Sequence, residues 1–183
     1  MKRKLIKKVI LILLSGLIVL VNFLEISTHP DKQSGIISWG ESIGWSIDEN
    51  NHTNGAKITY DFRSGVEEEY QTITIDGAAK WSDLNIVRTS SSPVGEVYTY
   101  LDENSYTVAA FWDYSSDSDG HLTIWKIKIN TAKNPTEVTM AHEFGHAAGL
   151  NDLYDEENNK DKLMYGIEDR IASGPTSSDI KGV

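Results

Sequence analysis

Cysteine is absent from the 183 residues. That excludes disulfides, thiolate metal sites and a cysteine nucleophile. It does not argue for the cytoplasm, because an exported protein need not carry disulfides. Histidine is scarce, with five in the chain, so two of them at a metal-ligand spacing carry weight. No serine nucleophile signature with a partner base is present either. Basic residues are outnumbered, 17 to 27, for a net charge of −10. Five of the 17 (Lys2, Arg3, Lys4, Lys7, Lys8) fall in residues 1–24, which hold no acid, so the remainder carries 12 basic against 27 acidic residues. An acidic body of this kind excludes non-specific nucleic-acid binding and attracts divalent cations.

The basic start is followed by an apolar run over residues 9–24, broken only by Ser15, Gly16 and Asn22. It reads as a secretion signal or an uncleaved membrane anchor, and either fate exports the domain. Contact with a membrane is expected through this segment alone, and otherwise a secreted monomer. Residues 25–56 are polar and punctuated by glycine. They read as a pro-segment, a linker or the irregular start of the domain, with Trp39 and Trp45 packing on its surface.

Residues 57–183 read as one catalytic domain of α+β, or mixed α/β, class. Residues 57–62 alternate as a strand. Val66, Tyr70, Ile73, Gly77, Trp81 and Leu84 recur at helical spacing, with Glu67, Glu68 and Glu69 in the first turn, where the helix dipole favours acids. Strands are expected over residues 86–89, 96–101, 107–114 and 121–130, the last alternating as Leu122, Ile124, Ile127 and Ile129 with Trp125 between them. Residues 115–120 read as a loop on composition. A second helix is expected to start with Asn134 as N-cap, Pro135 at the first position and Glu137 at the third, and to stop at Gly149 in the left-handed conformation. Its apolar residues fall on more than one face, so it should be largely buried.

That second helix carries His142-Glu143-Phe144-Gly145-His146, followed by Gly149 and Asp152. Histidines four apart share one helix face and can hold one ion. Asp152 offers a third ligand on spacing, with Asp155 as its competitor. Three protein ligands and an open position describe a catalytic rather than a structural zinc site. Glu143 stands beside the first ligand, where it can act as general base toward a water polarised by Zn2+ and later pass the proton to a leaving nitrogen.

His142 to Asp152 resembles the HExxHxxGxxH/D signature of the metzincin zinc proteases. Lys162-Leu163-Met164-Tyr165-Gly166 is similar to their Met-turn in its matrixin wording, and residues 178–183 resemble the start of the last matrixin helix. The resemblance covers residues 57–183, with its sharp motifs in 142–183. It implies a twisted, mostly parallel five-stranded sheet, an active-site helix beneath the cleft, and Met164 under the zinc. Tyr165 and Gly166 would begin a wall of the substrate pocket, and an edge strand would pair with the extended substrate. The chain departs from most metzincins in its aspartate ligand, which resembles the snapalysin-like bacterial proteases. It departs from matrixins at Gly166, where they have proline and where glycine is expected to loosen the pocket wall. It also stops where the family's last helix has barely begun.

Asp113, Asp117, Asp119 and Gly120 raise the possibility of a Ca2+ loop, but their spacing misses the EF-hand pattern, and a solvated acidic loop is the simpler reading. His121 reads as a surface or packing residue, with a second zinc as the alternative, and His29 and His52 have no partners at motif spacing. Residues 155–161 read as a solvated connection. The expectation is an exported zinc endopeptidase acting on proteins or peptides. Its rival is a zinc-stabilised extracellular binding or scaffold domain without activity, against which the intact Glu143 speaks.

Overall fold

The computed structural model describes residues 36–38, 41–55 and 57–183, all within one unit spanning residues 33–183. The predicted signal or anchor, His29 and Trp39 lie outside the described residues. Among the described residues no helix is long and apolar enough to cross a membrane.

The elements follow as β1 (Ile36–Ser38), β2 (Glu41–Ile43), β3 (Lys57–Phe62), α1 (Glu68–Ala79), β4 (Asn85–Arg88), β5 (Gly95–Tyr100), β6 (Ala109–Ser116), β7 (Leu122–Asn130), α2 (Glu137–Ala147), α3 (Glu156–Asn159) and α4 (Ser177–Gly182). β1 and β2 form a short antiparallel pair. The other strands form a mixed sheet in the order β4-β3-β5-β7-β6. Its pairings are parallel except β6 with β7, which is antiparallel and leaves β6 at the edge. The class is therefore mixed α/β with a mostly parallel five-stranded sheet.

Strand alternation sets one face of this sheet against α2. Ile58, Tyr60, Val97, Trp125, Ile127 and Ile129 are buried with Met140, Ala141, Phe144 and Ala147 of the helix. The Phe144 ring lies 5.1 Å from that of Tyr60 and 6.2 Å from that of Trp125. Burying one such ring stabilises the fold by about 2 kcal/mol. α1 packs directly on α2, because Gly77 lets the helices meet: a Cβ there would come within 2.7 Å of the Glu137 carbonyl oxygen.

Several expectations are corrected. α1 ends at Ala79, so Trp81 and Leu84 lie beyond it. Trp81 keeps the helical spacing because it turns inward, donating its indole N–H to the carbonyl of Ala141 at 2.8 Å. The N-cap of α2 is Thr136, not Asn134: its backbone is extended, and it forms a reciprocal capping box with Thr139. A hydroxyl followed three residues later by a second hydroxyl satisfies the free N–H groups. β6 extends to Ser116, into the expected loop. Ile124 faces outward, 44% exposed, because regular alternation turns Trp125, Ile127 and Ile129 inward and leaves it out of phase with them; Leu122 returns to the inner face across the register shift between Ser115 and Ser116. The inner face of β7 is Leu122, Trp125, Ile127 and Ile129. Residues 155–161 contain the short helix α3.

Candidate metal centre

α2 delivers His142 and His146 to one side, and the turn after it delivers Asp152. That turn depends on Gly149, which has φ +98 and would bring a Cβ within 2.6 Å of His52 Cβ, a conformation that favours glycine. Residues 46–48 brace the turn from outside. Asp48 N–H donates to the Gly149 carbonyl at 2.8 Å, Asn151 N–H donates to the Ser46 carbonyl at 3.0 Å, and Ile47 bridges Leu150.

The ring orientations decide what the three side chains can hold. His142 Nδ1 lies 2.9 Å from the carbonyl oxygen of Leu163, and His146 Nδ1 lies 2.7 Å from that of Leu150. A carbonyl only accepts, so each Nδ1 carries the proton and each Nε2 presents a lone pair. Oδ1 of Asp152 sits 3.0 Å from Nε2 of His142 and 3.6 Å from Nε2 of His146. It is a buried oxygen without a hydrogen-bond partner among the described residues. Three electron-pair donors therefore face one another within 4.8 Å. That arrangement is repulsive unless a cation or proton lies among them, and two imidazoles with one carboxylate are a donor set that suits zinc. Asp155 is not part of it. Its carboxylate caps α3, accepting from the backbone and side-chain nitrogens of Asn158.

Charge at the site follows from burial. Burial raises the Glu143 carboxyl to about 7, although the His146 ring and the Phe111 N–H draw it down. That N–H, from edge strand β6, donates to Glu143 Oε2 at 2.6 Å. Burial also lowers the His146 imidazole below its ordinary value, keeping it neutral and able to ligate. For Asp152, burial favours the acid, but a positive charge at the facing imidazoles, such as a proton or a cation among them supplies, together with the Tyr154 hydroxyl draws the carboxyl down to about 2.

Met164 lies beneath the helix: it is 1% exposed, and a Cβ on Gly145 would overlap its thioether. Tyr165 is buried as well. Gly166 does not sit loosely. A Cβ there would lie 2.7 Å from the Tyr154 ring and 3.0 Å from the Asp152 carboxyl carbon, so its lack of a side chain lets Asp152 and Tyr154 approach.

Two contributors were not singled out from sequence. Asp179, fully buried, accepts from the backbone N–H groups of Leu163 and Met164 at 3.1 Å each, and from the N–H and hydroxyl of Thr176. It fixes the turn whose Leu163 carbonyl orients His142. Its signal was the Thr176-x-x-Asp179 spacing of a capping box. Tyr154 donates its hydroxyl to Asp152 Oδ2 at 3.0 Å, a contact with no local sequence signature.

No protein-family model matches the chain, and no curated protein matches it.

Asp117, Asp119 and His121 form a second cluster of possible metal ligands, and the His121 ring meets that of His52 at 5.2 Å. Oδ1 of Asp117 already accepts the N–H groups of Asp119 and His121, which closes the loop without an ion. Asp113 is not in this cluster. It pairs with Lys126.

A recess of 350 Å³ opens beside the first triad, and His146 and Asp152 are among its lining residues. A larger recess of 610 Å³, lined by Glu156, Glu157, Lys160, Asp161 and Ile171, contains no member of either cluster.

Proposed function

We propose that the chain is an exported zinc-dependent endopeptidase of the metzincin type, matrixin-like in its Met164 turn and snapalysin-like in its aspartate ligand. The observation that carries this reading is the meeting of two imidazole lone pairs and the unpartnered Asp152 Oδ1, with the buried carboxyl of Glu143 alongside. A structural zinc site has no use for that carboxyl. The mostly parallel sheet with an antiparallel edge strand, and a buried methionine packed under the ligand helix, agree with it.

His142, His146 and Asp152 would hold the zinc, with the Leu163 and Leu150 carbonyls fixing the rings. Zinc there would supply Lewis acidity, polarising a peptide carbonyl and lowering the pKa of water. Glu143 takes the proton from the attacking water on a carboxylate oxygen and delivers it to the departing amide nitrogen. The Phe111 N–H holds Oε2 in place meanwhile. Among the described residues the outer side of edge strand β6 pairs with no other strand, and an extended peptide can add to such an edge.

The test pairs zinc analysis with digestion of casein or a peptide library, with and without chelator. One zinc per chain and cleavage lost on chelation are expected. Zinc retained with no cleavage of any unfolded protein would instead support a zinc-stabilised binding domain.

A further inference from the structure

We infer that the recess beside the metal triad receives a cationic side chain, that of lysine or arginine, from the peptide being cut. This inference rests on the protease reading and names the substrate class of the same site.

Three features of the recess point to a cation. The first is a bulge in β6. Trp112 pairs with Lys126 and Ser115 with Ile124, so three steps on β6 oppose two on β7, and Asp113 has φ 48. In a regular strand, residues three apart point to opposite faces. The extra residue reverses the phase, and Tyr114 stacks on Phe111 with ring centroids 5.2 Å apart. A strained residue at a bulge beside a candidate site is a device that re-aims a side chain. Here it gives the recess two neighbouring aromatic rings, Phe111 and Tyr114. Aromatic faces attract ammonium and guanidinium groups.

The second feature is Asp48, which lines the same recess. Its N–H is anchored to Gly149, and its carboxylate oxygens each accept one donor, from Asn50 N–H and the Asn51 amide, both at 3.0 Å. The group is aimed, yet each oxygen keeps a lone pair for a ligand. A metal at the triad would consume the charge of Asp152, whereas that of Asp48 remains. Thirdly, among the described residues no lysine or arginine lines the recess to neutralise it. The volume, near the lower bound for small-molecule pockets, suits one long side chain. Its lining joins His146 and Asp152 of the triad to Phe111 and Tyr114 of β6, so the cation belongs to one residue close to the bond being cut.

The experiment uses zinc-loaded Glu143→Ala protein and peptides of one sequence carrying Lys, Arg, Gln, Glu or Phe at each position in turn, with binding followed by calorimetry. The wild type is tested for cleavage of the same peptides. At one position Lys and Arg should bind about fivefold more tightly than Gln, the scale of a half-exposed ion pair, and Glu more weakly. Adding Asp48→Asn should remove the Lys-to-Gln difference, and Asp48→Lys should favour Glu. Tyr114→Leu, at a half-exposed position outside the core, should also narrow the Lys-to-Gln ratio. Equal affinities, a preference for Phe, or a ratio unmoved by both Asp48 substitutions would overturn the inference. Cleavage by the wild type without a Lys or Arg preference would sink it while leaving the protease reading intact. No cleavage at all by zinc-loaded wild type would sink both.

Discussion

Oδ1 of Asp152 lies 3.0 Å from Nε2 of His142 and, although buried, has no hydrogen-bond partner among the described residues. Because Leu163 and Leu150 take the Nδ1 protons of the two histidines, no neutral arrangement of the protons satisfies all three atoms. A divalent cation does. Zinc should therefore bind one per chain and raise the unfolding temperature, since a ligand that binds only the folded state stabilises it. Asp152→Ala should lower zinc affinity by at least about a hundredfold, beyond the effect of losing an outer partner. Asp155→Ala should leave it unchanged. Competition with a chromophoric chelator reads both, and equal affinities of wild type and Asp152→Ala would remove Asp152 from the site.

Under the proposed mechanism, Glu143 is the residue at which catalysis and metal binding come apart. Its carboxylate accepts the Phe111 N–H at 2.6 Å, and the carbonyl of a glutamine could accept the same bond. Glu143→Gln should keep the fold and bind zinc, but it cannot take a proton from water. Peptidase turnover should fall about 10²–10⁴-fold, the usual range for a general base, with zinc content unchanged. A Gln variant as active as wild type would refute the proposed proton path.

Much of the site was legible because its chemistry is local. His142, Glu143 and His146 lie within one helical turn, and Gly149 and Asp152 follow at fixed offsets, so spacing alone placed them together. The strands were also readable, since their inward residues alternate. Features that depend on distant partners were not. The Phe111 N–H reaches Glu143 from a strand 32 residues away, and no side chain announces a backbone donor. Asp48 meets the site through pairing of residues 46–48 with the turn at 149–151, which a polar, glycine-punctuated segment does not foretell. The start of α2 was misplaced because Pro135 suits a first helical position, while the capping box of Thr136 and Thr139 was decisive. Gly166 read as a loosened wall, yet its missing side chain is what admits Tyr154 beside Asp152.

Tyr60 ties the sheet to α2 through its ring contact with Phe144. Burial raises its phenol from 10.0 to about 12, against a lowering by Arg88. For an acid whose folded pKa is raised, the unfolded chain ionises first. The Tyr60 contribution is therefore whole below pH 10, is lost progressively from pH 10 to 12, and changes no further above that. Denaturant unfolding of Tyr60→Phe and wild type across this range measures it. Wild type should lose more stability than the variant, by about 1–3 kcal/mol. Parallel curves would show that Tyr60 ionises as freely in the folded protein as in the unfolded one.

Asp179 supports the site from the far side of the Met164 turn. Its oxygens accept the Leu163 and Met164 N–H groups and two donors from Thr176, so Asp179→Ala strands buried donors in the core. Leaving such groups unsatisfied costs roughly 3 kcal/mol or more in total, which for a domain of this size lowers the unfolding temperature by about 6–12 °C. The loss should reach the metal as well. Leu163 gives its N–H to Asp179 and its carbonyl to His142 Nδ1, so a displaced turn releases the ring that presents Nε2. Zinc affinity should fall about 10–100-fold, as when a ligand's outer hydrogen bond is removed. Thr176→Val removes the hydroxyl but keeps both turn contacts, and should destabilise without this loss of affinity. Measured at a temperature where all three proteins are folded, equal zinc affinity in Asp179→Ala and Thr176→Val would show that Asp179 holds the fold together without orienting the metal ligand.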